Sequence, residues 1–378
     1  MIRIGADWLD AEPAQRLCRV LEEGGHLALF VGGCVRNAML HIPATDIDLA
    51  TDARPPRVIE LMEGAGLKVA PTGIDHGTVT VVIDHQPFEV TTFRRDIETD
   101  GRRAVVHDAD TPLEDAKRRD FTMNALYCDR EGSIVDPLGG LADLQAGRLR
   151  FVGDPDSRVQ EDYLRILRFF RFTAWYADPD RGMDADGLGA CARHAAGLEG
   201  ISAERITAEL RKLLSAPDPG PAVAAMEQAG VLRVILPGAT AHSLPALVHL
   251  EAEPDPVVRL AVLGGDPGAH LRLSRAEARR LDALKRAARE DEGPAALGYR
   301  LGAADGFAAC ALRGALTAHP LPPGAAEEAA RGAQAEFPVS ARDLMGEAQG
   351  PDLGRRLKAL ERRWIESGFR LSREDLLA

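Results

Sequence analysis

Acidic and aliphatic residues alternate at Asp46-Ile47-Asp48-Leu49, and a period of two predicts a strand over residues 46–50. Residues two apart on a strand share a face, with Cα atoms about 6.6–6.8 Å apart. Asp46 and Asp48 are therefore expected on one side, with Ile47 and Leu49 buried behind them. Upstream, residues 11–25 carry a helical pattern that stops at Gly24-Gly25. Residues 27–31 are an apolar run that predicts a short buried strand, broken at Gly32-Gly33 before a helix over 34–40. Pro55-Pro56 opens a helix to about Gly64. Strands are predicted at 78–83 and 88–93, with a turn around 84–87. The second puts Glu89, Thr91 and Phe93 on one face, and beside the Asp strand Glu89 would complete a carboxylate triad. Residues 94–103 are polar and contain Gly101, which predicts a mobile loop over the site. A helix over 112–125 follows, with Glu114 and Asp115 in its first turn, then a strand and turn at 134–140.

Beyond this point the period is helical. Residues 162–174 predict a helix with apolar Tyr163, Leu164, Ile166, Leu167 and Phe170, while Asp162, Arg165 and Arg168 recur every three residues along one side. Ser202 reads as an N-cap, with Glu204 in the first turn and Ile206, Leu210, Leu213 and Leu214 as the apolar stripe. Pro217-Asp218-Pro219-Gly220-Pro221 reads as a boundary. Later helices are predicted at 274–290, with a capping box at Ser274 and Glu277, and at 353–367, with Trp364 and a basic face. No fixed-period repeat is present.

The 378 residues predict two to four domains. A content of 45% hydrophobic and 28% charged residues is that of an ordinary soluble globular chain. No run of about 18 apolar residues is present to span a membrane, and the first residues lack the pattern of a signal peptide. Five cysteines stand singly with no CxxC, which disfavours a zinc ribbon or disulfide framework and suits a reducing cytoplasm. A formal charge of −12 argues against indiscriminate coating of nucleic acid. It leaves room for local basic patches at Arg94, Arg95, Arg102 and Arg103, and at Lys117, Arg118 and Arg119.

Two carboxylates on one rigid face can grip hard cations, and two such ions about 3.5–4 Å apart clamp an in-line phosphoryl displacement. A calcium loop is the bland alternative, and it fails because Ala50 and Thr51 stand where a ligand and a glycine are required. Gly32 and Gly33, at a strand-to-helix turn, would let backbone N–H groups approach a phosphate, with Arg36 in the first turn to hold its oxygens. A Gly-Gly turn alone is just a turn; the acids that follow favour the phosphate reading. Asp162 and Arg165 have a bland reading too, as a helical ion pair. In the sharper one, an Asp accepts from an exocyclic amino group and an Arg donates to the adjacent ring nitrogen. That pairing suits cytosine and adenine and refuses uracil and guanine.

Five segments, GGCVRN with DIDLA, RRDFTMNAL, DPLGGLADL, EDYLRILRFFRF and SAERITAELRKLL, lie in order across about residues 28–214. Together they closely resemble the class II CCA tRNA nucleotidyltransferase and bacterial poly(A) polymerase family. The resemblance implies an α+β fold. A small mixed-sheet palm would occupy residues 1–150, a helical neck 151–216, and a helical body and tail 217–378. It implies that Asp46 and Asp48 bind catalytic Mg²⁺ and that Glu89 activates the tRNA 3′-hydroxyl. Gly32, Gly33, Arg36 and Arg119 would contact the nucleotide triphosphate, and Asp162 and Arg165 would select CTP and ATP. Arg168 and Arg171 continue that nucleotide-binding helix. The implied partner is tRNA, gripped at its acceptor arm and elbow, with no membrane and no obligate protein partner. Asn37 and Thr45 depart from the family's usual Asp and basic residue. The 94–103 segment is of full length, which favours complete CCA addition over the CC-only relatives that shorten it. Poly(A), CC-only and A-only synthesis are the alternatives within the fold, and an inactive RNA-binding module is the alternative outside it. The single His-Asp dipeptide, His107-Asp108, lies in the palm, so the C-terminal phosphohydrolase of some relatives is expected to be absent.

Overall fold

A computed structural model describes residues 2–44, 46–70, 73–74, 77–99, 104–268, 270–345 and 350–378. Two compact units are present. One comprises Met1–Pro237 with Pro267–Leu271, the other Gly238–Asp266 with Arg272–Ala378.

The first unit is built on a mixed sheet. Its strands are β1 (Leu29–Val31), β2 (Asp48–Thr51), β3 (Lys68–Ala70), β4 (Thr78–Ile83), β5 (Gln86–Thr92), β8 (Tyr127–Cys128) and β9 (Ile134–Val135), in the order β3-β4-β5-β2-β1-β8-β9. β2 and β5 are parallel, and the other pairs in this sheet are antiparallel. A parallel pair needs a crossover; here the helix Pro55–Gly64, β3 and β4 supply it. Alternation settles the facing of β4 and β5. Val79, Val81, Ile83, Phe88 and Val90 are buried, while Glu89 on the other face is exposed. Asp84 and His85 both take positive φ, 49° and 66°, the pair of values a two-residue hairpin turn needs to match strand twist. Beyond the sheet the unit is helical, so the α+β expectation of a mixed-sheet palm followed by helices holds.

Four local expectations are corrected. The acidic strand begins at Asp48, with Asp46 in the segment leading into it. Phe93 lies past the end of β5 and is fully buried against Tyr127, so it does not share the exposed face of Glu89. Residues 94–103 do not form a loop throughout: β6 (Arg94–Thr99) pairs antiparallel with β7 (Ala104–Asp108) as a separate two-stranded ribbon. Arg102, Arg103 and Thr45 lie outside the described residues. Finally, the helix expected over 112–125 stops after Lys117. The amides of Arg118 and Arg119 reach back only three residues, and the Asp120 carboxylate takes the Phe121 N–H at 2.8 Å. A side chain that captures a nearby amide in this way competes with the helix. The resulting turn sits on a brace. The Asp136 carboxylate accepts from the Gly140 and Leu141 amides, and a Cβ on Gly140 would stand 2.0 Å from the Thr122 carbonyl.

The second unit is helical. Ser274 and Glu277 form the expected capping box, and Trp364 anchors a small core with Tyr299, Phe337 and Phe369.

Candidate active site

The parallel pairing of β2 with β5 sets Asp48 directly opposite Glu89, and Thr80 of β4 flanks Glu89 on its other side. Asp46, Asp48, Glu89, Thr80 and Gln86 line one cavity of about 290 Å³. Burial, then the charge of Glu89, pushes the Asp48 carboxyl up to about 6, against the pull of Arg119. Grouped anions raise one another's pKa unless a cation neutralises them, so the donor set fits a hard divalent ion. Among the described residues no three acidic, His or Cys side chains close around a point as a finished ion cage. Carboxylates opening on a cavity, with phosphate oxygens completing the shell, are how nucleotide-bound Mg²⁺ is commonly held.

A sign follows for pH. With its folded value raised from 3.8 to about 6, Asp48 favours the fold while protonated. That contribution is full below pH 3.8 and is lost as pH rises through about 6. Cation binding needs the carboxylate, so affinity is expected to fall by about tenfold per pH unit below that value. Titration with a divalent cation by calorimetry between pH 5 and 7 checks this; a flat profile would mean that Asp48 takes no part in cation binding.

Beside the carboxylates two guanidinium groups flank the glycine pair. Gly32 has a φ of 72°, which favours glycine, and a Cβ there would stand 3.2 Å from Arg119 Nη1. A Cβ on Gly33 would stand 3.9 Å from Arg36 Nη2. Arg119 is anchored by the buried Asp115 carboxylate, which accepts its Nε–H and Nη2–H at 3.0 and 2.9 Å. Asp115 also accepts from Arg118 Nε at 2.9 Å, the Tyr127 hydroxyl at 2.7 Å and the Arg94 amide at 3.2 Å. Burial alone would raise the Asp115 carboxyl; Arg119 and Arg118 outweigh it and hold the group below the usual carboxylate range.

The helix Leu164–Tyr176 closes this side. Arg168 donates to Asp120 from Nε at 2.7 Å and from Nη2 at 2.5 Å, holding that buried carboxyl at about 2 against the opposing effect of burial. Arg171 pairs with Glu209 at 2.7 Å. Arg36, Arg168 and Arg171 all approach the ring of Phe172, at 5.1, 5.3 and 4.3 Å from its centroid.

Asp162 precedes this helix and is not part of it. Its carboxylate accepts from the Leu164 amide at 3.0 Å and from Arg205 at 2.8 Å. Arg165 donates to Glu161 at 2.5 Å, to the Arg158 carbonyl at 2.9 Å and to the Arg118 carbonyl at 3.1 Å. The Asp162–Arg165 ion pair of the bland reading therefore does not form. Each side chain is braced by other partners, and the Nε–H of Arg165 stays uncommitted among the described residues.

A family described as "Poly A polymerase head domain" matches residues 28–150, and one described as "Probable RNA and SrmB- binding site of polymerase A" matches residues 183–242. A mouse (Mus musculus) protein named "CCA tRNA nucleotidyltransferase 1, mitochondrial" is 31% identical over 98% of this chain and 90% of its own length. The chain belongs to the CCA tRNA nucleotidyltransferase family. A CCA-adding enzyme of Bacillus cytotoxicus is 41% identical over 54% of this chain and 50% of its own length. The solved CCA-adding enzyme of Bacillus stearothermophilus, in complex with CTP, superposes with a TM-score of 0.75 at 30% identity, over 95% of this chain and 94% of that one.

In this member of the nucleotidyltransferase family most of the sequence-predicted residues come together in two groups, while Asp162 and Arg165 are held by partners outside both. The three carboxylates share one cavity, and the arginines 36, 119, 168 and 171 gather around the glycine pair and Phe172. Sequence reasoning named Asp115 only as a first-turn acid and did not single out Phe172, Tyr176 or Glu209. The available signals were Asp115 at four residues before Arg119, and Phe172 and Tyr176 at four and eight after Arg168, both helical spacings.

Proposed function

We propose that the Asp46–Asp48–Glu89 cavity is where this enzyme adds CCA to tRNA 3′ ends from CTP and ATP, releasing pyrophosphate. The observation that carries the reading is the opposition of Asp48 and Glu89 across β2 and β5, beside two arginines that flank the glycine pair. Asp46 and Asp48 would hold divalent metal, and hard oxygen donors favour Mg²⁺. When bound, the ion orients the triphosphate and neutralises charge that develops on its oxygens. Glu89 takes the proton of the tRNA 3′-hydroxyl as its oxygen attacks the α-phosphorus. Arg36 and Arg119 hold the triphosphate, with Arg168 and Arg171 behind them. Asp162 and Arg165 select the base: the remaining lone pairs of Asp162 face an amino donor, and Arg165 Nε–H supplies the ring nitrogen. We assign residues 1–150 to the palm, 151–216 to the neck and 217–378 to the body and tail, and the reaction to the cytoplasm. Among the described residues no helix is long and apolar enough to cross a membrane.

Poly(A) synthesis is the second reading, favoured by the name of the matching head family. Incubating tRNA that lacks CCA with CTP and ATP separates the two. Addition of three nucleotides followed by a stop is expected, and a long A tail would overturn the assignment. Arg165→Ala is expected to weaken discrimination of CTP over UTP by about tenfold to a hundredfold, the order of one good base contact.

A further inference from the structure

The cavity that holds the three carboxylates has a further polar wall, and neither metal nor triphosphate accounts for it. β4 buries Val79, Val81 and Ile83, which leaves Thr78, Thr80 and Val82 on its open face. Thr78 is used within the sheet: its hydroxyl oxygen lies 3.0 Å from that of Thr91 on β5. Thr80 stands two residues on, directly across from Glu89, and lines the carboxylate cavity. Register orders one row across the open face as Asp48, Glu89, Thr80 and Ala70. Glu89 therefore has an acid on one side and an alcohol on the other. The two sides differ in what lies beyond them. β1, which leads into the glycine pair, is the strand next to β2, and the charge of Arg119 reaches Asp48. The phosphates of a nucleotide belong at that end of the row. The Thr80 end is left to the acceptor.

We propose that Thr80 binds the 2′-hydroxyl of the acceptor's terminal ribose, so that the site favours ends carrying two adjacent hydroxyls. The inference rests on Glu89 being the group that takes the 3′-hydroxyl proton. Side chains directly opposite on antiparallel strands have Cβ atoms about 4.5–5.5 Å apart, and a hydrogen bond to a hydroxyl spans about 2.7–2.8 Å. A ribose end lying over such a pair sets its 3′-oxygen on Glu89 and its 2′-oxygen on Thr80. A hydroxyl has one donor and two acceptor positions, so Thr80 can hold the ribose while bonded elsewhere. Ala70, the next residue in the row, is small and leaves room for the sugar. Holding both oxygens limits rotation of the terminal sugar and keeps the 3′-oxygen aimed at the α-phosphorus. The 2′-hydroxyl is also the group by which a protein tells RNA from DNA at a given position.

The test uses the full chain and follows single-turnover addition of C to tRNA lacking CCA, its last nucleotide either ribose or 2′-deoxyribose. The wild-type protein is expected to extend the ribose end about threefold to tenfold faster, the worth of one neutral hydrogen bond. Thr80→Val removes the hydroxyl and keeps a β-branched strand residue. It should slow the ribose end by that same factor and bring the ratio of the two ends close to one. A change of sugar pucker in the deoxy end slows both proteins alike, so it cancels when the four rates are combined. Thr80→Ser keeps the hydroxyl and should keep the ratio, while Thr80→Ala should lose it as Thr80→Val does. A ratio that survives Thr80→Val and Thr80→Ala overturns the proposal, as does a wild-type protein that extends both ends equally. A ratio lost in Gln86→Ala and kept in Thr80→Val also overturns it, because Gln86 lines the same cavity. Glu89→Gln separates the two layers: it should slow both ends by about a hundredfold or more. If it leaves both at the wild-type rate, the assignment of Glu89 fails and the role of Thr80 falls with it. If it slows both while the ratio survives Thr80→Val, Glu89 stands and only Thr80 is lost.

Discussion

Asp46→Ala and Asp48→Ala should each lower the rate of CTP and ATP incorporation by about 10³-fold or more. A divalent ion at a phosphoryl centre stabilises developing charge by several kcal/mol, and each ~1.4 kcal/mol is a factor of ten in rate. Asp48 carries the larger share of this expectation, because it is half-buried and directly opposite Glu89. The two substitutions remove charge from an acidic cavity, so neither is expected to weaken the fold. The measurement is single-turnover addition to tRNA lacking CCA, with tRNA affinity followed separately by gel shift. Normal tRNA affinity with lost chemistry is the expected pattern. A variant that adds C and A within tenfold of the wild-type rate would falsify the assignment of that carboxylate.

Asp115→Ala is expected to act on stability first. The carboxylate is 1% exposed and accepts from two arginines, a tyrosine hydroxyl and the first amide of β6. Removing one member of a buried ion pair costs about 3–5 kcal/mol, because the remaining charge is left without a partner. For a unit of this size that is a fall in melting temperature of roughly 10 °C. Asp115 is held below its ordinary carboxylate value. Its contribution is therefore present at neutral pH and is lost as pH falls through the depressed folded value. Asp115→Asn should lose less stability, since the amide still fills the space and accepts hydrogen bonds. Both variants should loosen Arg119 and raise the KM for both nucleotides. Thermal unfolding followed by circular dichroism, beside nucleotide KM, reads the two effects separately. An unchanged melting temperature in Asp115→Ala would mean that Arg119 and Arg118 find other partners.

The site was legible in the chain to different depths. The period-two alternation at Asp46 and Asp48, the apolar run before Gly32-Gly33 and the strand at Glu89 are local patterns, and each stands near where it was expected. The ribbon of β6 and β7 was not legible, because the residues next to Gly101 are polar and the apolar Ala104, Val105 and Val106 run consecutively instead of alternating. The break after Lys117 was missed for a related reason. Lys117-Arg118-Arg119-Asp120 is compatible with a helix by propensity, and only the buried side-chain bonds of Asp115 and Asp120 end it.

The sequence by itself determined which faces are buried, where glycine allows a tight turn, and that carboxylates and arginines are supplied at the spacings that nucleotidyl transfer requires. Those are short-range properties, written in the period of the chain. Tertiary structure alone decided the partners. The parallel register of β2 with β5 chose Glu89 as the acid opposite Asp48. Packing of the helix Leu164–Tyr176 gave Arg36 a tyrosine 140 residues away, and Arg165 was given to Glu161 and the Arg118 carbonyl, leaving Asp162 to Arg205. The physical reason is desolvation: once a charge is buried, its partner is whichever group the fold brings within hydrogen-bond reach, and that choice is non-local.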